Sequence, residues 1–178
     1  STYTLTNAEV GKAITVVANY TDNGSTAETV TSSATAVVVN VNDAGSIAIT
    51  GTATQGQTLS TTITDPDGVP ASGITYQWKA DGSNIAGATG ATYTLTNAEV
   101  GKAITVVANY TDSRSTAETV TSLATAAATN TNDLGSIAIS GTATQGQTLS
   151  TTITDPDGVP ASGITYQWKA DGTNISAA

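Results

Sequence analysis

GSIAITGTATQGQTLSTTITDPDGVPASGITYQWKADG, residues 45–82, returns at 135–172 with one change, Thr50 giving way to Ser140. Its apolar residues recur every second position, the period of a strand with one buried face. Ile47 and Ile49 alternate in SIAIT, Leu59, Thr61 and Ile63 in QTLSTTIT, and Ile74, Tyr76 and Trp78 in ITYQWK. Between these runs stand turn formers, TQGQ and DPDGVPASG, and ADGSN follows the third. The alternation continues through Tyr93 and Leu95 and then through Ile104, Val106, Ala108 and Tyr110, with STAETVTS as a weaker last strand. NAEV, at 97–100, is the one short helical link, read as capped by Asn97.

The repeat extends well beyond the quoted stretch. Residues 1–88 align with 91–178 with 13 mismatches. A period near 90 residues is too long for a solenoid unit and suits a small self-contained domain. Six or seven short strands per period, with turns between them, predict an all-β chain of antiparallel β-sandwiches. The expected division is 1–44, the last three strands of one repeat; 45–134, a complete repeat; and 135–178, the first three strands of another. VVVNVNDAG and AATNTNDLG are the expected linkers, short enough that neighbouring domains nearly touch.

Composition narrows function. The chain has no cysteine and no histidine, so disulfides, thiolate metal sites and the commonest general base are absent. Fourteen acidic against five basic residues give a net charge of −9, which argues against nucleic acid as a partner. No apolar run is long enough to span a membrane, so no membrane insertion is expected. Without methionine, the chain reads as part of a longer or processed polypeptide.

The order Trp78, Tyr93-Thr94-Leu95, Asn97-Ala98-Glu99-Val100-Gly101, Ile104-Thr105-Val106 resembles an immunoglobulin-like domain. Trp78 matches the core tryptophan, and AEVG resembles the acid-x-Gly turn that precedes the penultimate strand. The family's paired cysteines are missing; Thr61 or Ile63 and Val106 stand in that space. More narrowly, YQWKADGSNIAGATGATYTLTNAEVGKAITVVANYTD, residues 76–112, resembles the tandem immunoglobulin-like repeats of giant bacterial surface proteins, the biofilm and RTX-type adhesins. The resemblance covers the whole chain. It implies an extracellular place on a bacterial cell surface and a structural role as spacer or fibre shaft, with adhesion residing elsewhere. The alternative is a ligand-binding module that recognises glycan or a partner protein through its end loops. Loops as similar as the two copies of DPDGVPASG suit a spacer better.

The densest acidic motif is Asp65-Pro66-Asp67-Gly68, repeated at Asp155-Pro156-Asp157-Gly158. Hard cations such as Ca2+ take six to eight oxygen ligands, mostly carboxylates, amides and carbonyls. In a sandwich of this order the incoming linker, the 65–73 loop and the 112–115 loop share one end. That would gather Asn42, Asp43, Asp65, Asp67 and Asp112, with Glu9 presented by the preceding domain and Asp133, Asp155 and Asp157 as the next set. The VNVNDAG linker also resembles the Asn-Asp linkers that bind calcium in cadherin-like repeats. The same residues are equally what a tight turn prefers without metal.

Other features point to structure alone. Asp22-Asn23-Gly24 predicts a type I′ hairpin turn, replaced by Asp112-Ser113-Arg114 in the second copy. Arg114, the sole arginine, suggests a contact particular to that copy. The Asp65/Asp67 pair lies in a turn with no histidine nearby, so no enzymatic activity is expected. The alternation turns Tyr76, Trp78 and Tyr110 into the core, away from any sugar-stacking role. Asn19-Tyr20-Thr21 and Asn174-Ile175-Ser176 match a glycosylation sequon that carries little weight in a bacterial protein.

Ser1 corresponds to Ala91 and Ala178 to Ala88, so the chain reads as two repeats less two residues. The halves 1–44 and 135–178 are then complementary. The expected partners are neighbouring copies, the C-terminal half of one chain packing on the N-terminal half of the next in a head-to-tail filament.

Overall fold

A computed structural model describes residues 1–176. The described residues are all-β, with two single-turn 3₁₀ links and no α-helix. They fall into two compact units, Ser1–Thr129 and Asn130 onward.

The first unit contains a two-stranded hairpin followed by a sandwich-like body. The hairpin is β1 (Val17–Thr21) with β2 (Ala27–Thr31). The body opens with β3 (Ser46–Thr50), β4 (Thr58–Thr64), β5 (Thr75–Ala80) and β6 (Ser83–Asn84). It closes with β7 (Thr92–Thr94), β8 (Ile104–Thr111) and β9 (Ala117–Thr121). Two antiparallel sheets form, ordered β3-β4-β7 and β6-β5-β8-β9.

Both sheets contribute to one core. Ile47 and Leu59 come from the first, and Trp78, Ile104, Val106, Ala108, Tyr110 and Val120 from the second. Trp78 lies opposite Val106 in the β5–β8 register and is fully buried, its indole N–H donating to Gly90 O at 2.8 Å. Burial follows the alternation along β8, where Ile104, Val106, Ala108 and Tyr110 point inward. Period two in the sequence has become one buried face per strand because nothing else on these strands removes enough apolar surface from water.

Two local expectations need correction. The residue capping the 3₁₀ links is a threonine, not the asparagine. Thr96 Oγ1 accepts from Ala98 N at 3.2 Å, and Glu99 Oε2 accepts from Thr96 N at 2.9 Å, a reciprocal capping box. Thr6 and Glu9 repeat it. The β1–β2 turn is not type I′ either. Asp22 Oδ1 accepts from Thr26 N at 2.8 Å, and the left-handed residue is Ser25 (φ 65°), not Asn23 or Gly24. The β8–β9 turn repeats this with Asp112 and Ser115 (φ 71°). The side chain of the first aspartate closes the loop, so the positive φ falls on the residue immediately after the Asn-Gly pair.

The second unit holds two small sheets. β10 (Ser136–Ser140) pairs with β11 (Ser150–Thr154), and β12 (Lys169–Ala170) with β13 (Thr173–Asn174).

Candidate functional site: an acidic junction

Residues 1–43 meet the body of the first unit at the end of the sandwich that carries the 65–73 and 112–115 loops. Local sequence builds both loops. Pro66 presets the turn, Gly68 N donates to Asp65 O at 3.0 Å, and Gly68 takes φ +100°, a left-handed backbone that favours glycine. Asp67 N donates to Asp65 Oδ1 at 2.8 Å, an Asx turn inside the β-turn. Gly68 O in turn accepts from Ser113 N at 2.9 Å, tying the two loops together.

The linker threads into this end. Asp67 Oδ2 accepts from Asp43 N at 2.8 Å and from Asn40 Nδ2 at 3.1 Å. Asn42 Nδ2 donates to Glu118 Oε1 at 2.7 Å. From the preceding 3₁₀ link, Asn7 Nδ2 donates to Pro66 O and Asp43 Oδ2, both at 3.2 Å. Arg114 answers from the other side, its guanidinium donating to Asn7 O at 2.9 Å. Gly45 lets the linker pass, since a Cβ there would collide with the Tyr110 hydroxyl and lie 2.9 Å from Asp65 Oδ2.

The electrostatics are lopsided. Asp43, Asp65, Asp67, Asp112 and Glu118 lie at this end of the body, and the Arg114 charge acts on Asp67 among them. Asp67, Asp112 and Glu118 are buried. The Asp43 backbone N–H holds the Asp67 carboxyl below its usual range against the opposing effect of burial, helped by Asn40, Asn7 and the Arg114 charge. Burial and then the hydrogen bond to Asp65, 2.7 Å from the phenol oxygen, push Tyr110 well above the ordinary tyrosine range. It therefore stays a neutral donor.

Asp65, Asp112 and Glu118 each offer one carboxylate oxygen, and these oxygens lie within 4.8 Å of one another. Acidic clusters of this kind also occur without ions, so the donors themselves have to be weighed. Asp67 Oδ1, Asp112 Oδ2 and Asn40 Oδ1 are buried and have no hydrogen-bond partner. A buried, unpaired carboxylate oxygen costs free energy that a cation would offset. Every donor in the set is oxygen, the ligand chemistry of a hard cation rather than of zinc or copper.

Of the residues singled out from sequence, Asn42, Asp43, Asp65, Asp67 and Asp112 share this junction. The Glu9 carboxylate is engaged in its own capping box, with Thr6 N at 2.9 Å. Asp133, Asp155 and Asp157 lie in the second unit and repeat part of the clasp. Asp133 N donates to Asp157 Oδ2 at 2.8 Å, and Asp157 N to Asp155 Oδ1 at 2.9 Å. Sequence reading missed Glu118, Asn40, Asn7 and Tyr110 as junction residues. Glu118 was within reach, because it shares the inward phase of AETVT with Val120 and stands opposite Tyr110.

No family model, curated protein or solved structure matches the chain.

Proposed function

We propose that this chain is a structural spacer: tandem immunoglobulin-like repeats of about 90 residues from a large extracellular bacterial surface protein or adhesin, joined by junctions that a bound Ca2+ stiffens. The observation carrying the reading is the clasp between linker and Asp-Pro-Asp-Gly loop. It is made with the same bond, 2.8 Å, from Asp43 to Asp67 and from Asp133 to Asp157. The same linker-to-loop bond is built within each unit from near-identical sequence, and a recurring joint of this kind suits a shaft of repeats. A binding module would instead vary its loops, and the DPDGVPASG loop is identical at 65–73 and 155–163.

Asp65, Asp67, Asp112, Glu118 and Asn40 supply the oxygens for the cation. Carboxylate oxygens that already accept one hydrogen bond keep a second lone pair for a metal. Occupied, the site would neutralise the junction's excess negative charge and lock the linker against the loops. The test is thermal unfolding in millimolar Ca2+ and in EGTA, with small-angle scattering of a multi-repeat chain in both. Expected are a higher Tm and a more extended particle in Ca2+. A cation at about 100 times its Kd adds roughly 2.7 kcal/mol to the state that binds it. Identical melting in the two buffers refutes the cation. A multi-repeat chain that stays compact and flexible in both refutes the shaft.

A further inference from the structure

We infer that β3 of the central body is a docking edge for β3 of a second copy, the two strands pairing antiparallel about a two-fold axis at Ala48. The inference is independent of the spacer reading and uses only residues inside the first unit.

β3 pairs with β4 alone, so its other edge keeps unpaired backbone N–H and C=O groups. This edge lies on the flank of the body. The chain enters at the end of the 65–68 loop, where Asp43 N reaches Asp67, and leaves at the opposite end, where Thr129 exchanges backbone bonds with Ala53 and Gln55. β3 runs between the two ends. Natural edge strands are blunted by lysine, proline, a bulge or a charge that points inward. β9, the edge of the facing sheet, has the last of these in buried Glu118. Ser46-Ile47-Ala48-Ile49-Thr50 has no charge and no proline.

Beside this edge runs a groove of about 220 Å3, lined by Ile47, Ala48, Ile49, Leu123, Ala124 and Thr125. Its 122–125 wall is held from the far side by β8, through Ser122 N to Val106 O and Thr125 N to Ile104 O, both at 3.0 Å. Leu123 is 90% exposed at the rim, and the other copy of the repeat has Ser33 in its place. A lone exposed leucine needs no explanation. Here it adjoins half-buried Ile49 at an open strand edge. Free backbone groups and apolar side chains thus fall together, the two requirements of strand addition.

Charge and register both point to a second copy as the occupant. No charged residue lies between Asp43 and Asp65 or between Glu118 and Asp133, the two stretches that bound the groove. Two chains of net charge −9 repel each other across most of their surfaces, and this flank lets them meet without setting like charges opposite. The strand is also its own antiparallel complement. With Ala48 opposite Ala48, Ile47 meets Ile49 and Ser46 meets Thr50. A two-fold axis normal to the sheet preserves its faces, so positions 47 and 49 stay on the core side and 46, 48 and 50 on the solvent side in both copies. The two grooves then face each other, with a Leu123 from each copy over the seam. The product is one six-stranded sheet, β7-β4-β3 continued by β3-β4-β7 of the second copy. Such a contact is isologous and closes as a dimer. Five residues a side fall short of a standard interface, which sets the Kd on the order of 0.1–1 mM.

The chain has no native cysteine, so disulfide formation reads the register directly. Opposed Cα atoms in an antiparallel pair lie about 4.5–5.5 Å apart, within disulfide range. Ala48→Cys should therefore cross-link to itself. Ser46→Cys and Thr50→Cys should each fail alone and cross-link when mixed, one of them tagged for mass. The expected Ala48→Cys yield is at least about tenfold that of Ser46→Cys alone at equal concentration. The unmodified chain should form dimers in sedimentation equilibrium at about 1 mM. Leu123→Ser, which installs the side chain of the other copy, should lower the Ala48→Cys yield at least about fivefold. All four positions are exposed within their own chain, and circular dichroism checks that each variant folds. A strict monomer at about 1 mM overturns the inference. So do equal self-linking of Ser46→Cys and Ala48→Cys, which would mean unspecific contact, and an Ala48→Cys yield untouched by Leu123→Ser.

Discussion

Replacing Trp78 with alanine tests the core directly. The indole is fully buried between the sheets, donates to Gly90 O at 2.8 Å, and lies 6.1 Å from the Tyr93 ring. Aromatic-to-alanine changes in a packed core cost about 3–5 kcal/mol, with the cavity term included. Loss of the N–H donor adds to this by leaving the Gly90 carbonyl without that partner. A body of this size has roughly 4–13 kcal/mol of stability to lose. Trp78→Ala should therefore leave the central sandwich marginal or unfolded. In urea, with a slope of about 1 kcal/mol/M, the midpoint falls by about 3 M or more. In heat, Tm drops by roughly 12–40 °C. Circular dichroism is the suitable probe, since the substitution removes one of the two tryptophans on which fluorescence would rely. Trp168→Ala, at the equivalent position in the half-exposed second unit, is the internal control and should barely move the main transition in dilute solution. A Trp78→Ala loss below about 1 kcal/mol, or equal losses at both tryptophans, would refute the buried-anchor argument.

Two further outcomes follow from the junction. Gly45→Ala forces the Tyr110 hydroxyl away from Asp65 and should destabilise the first unit by about 1–3 kcal/mol, read by thermal unfolding; unchanged stability would contradict the close approach. Asp67 has a native pKa below its ordinary value of 3.8, so its contribution is present above that value and is lost as pH falls through the lower native one. Docking of residues 1–43, followed by scattering, should hold from neutral to about pH 5 and fail in stronger acid, and Asp67→Asn should flatten that dependence. The same acid profile in both proteins would remove Asp67 as its cause.

The strands were legible because each side chain's phase is local information. Ile104, Val106, Ala108 and Tyr110 announce their shared face without knowledge of the partner strand. The acidic end was legible in part, since Asp65, Asp67 and Asp112 are turn residues whose loops must share one end of such a sandwich. Glu118 was harder to see. It sits mid-strand in an inward position where an apolar residue is expected, and its justification is Asn42, 76 residues earlier in sequence. The turn between β1 and β2 misled for a different reason. Asn-Gly is a strong turn former, but the aspartate before it offered a competing hydrogen-bond closure, and that closure decided the backbone.

That closure has a consequence for arrays of such repeats. Asp22 and Ser25 in one copy, and Asp112 and Ser115 in the other, hold the loop between them through backbone N–H groups and the aspartate side chain, so the side chains at 23–24 and 113–114 take no part in its closure. One copy spends them on Asn-Gly and the other on Ser-Arg, whose arginine reaches across to Asn7. A single codon in this loop can therefore retune one joint of a long array without disturbing either fold beside it, so that neighbouring joints in one molecule can differ in strength while their domains remain interchangeable.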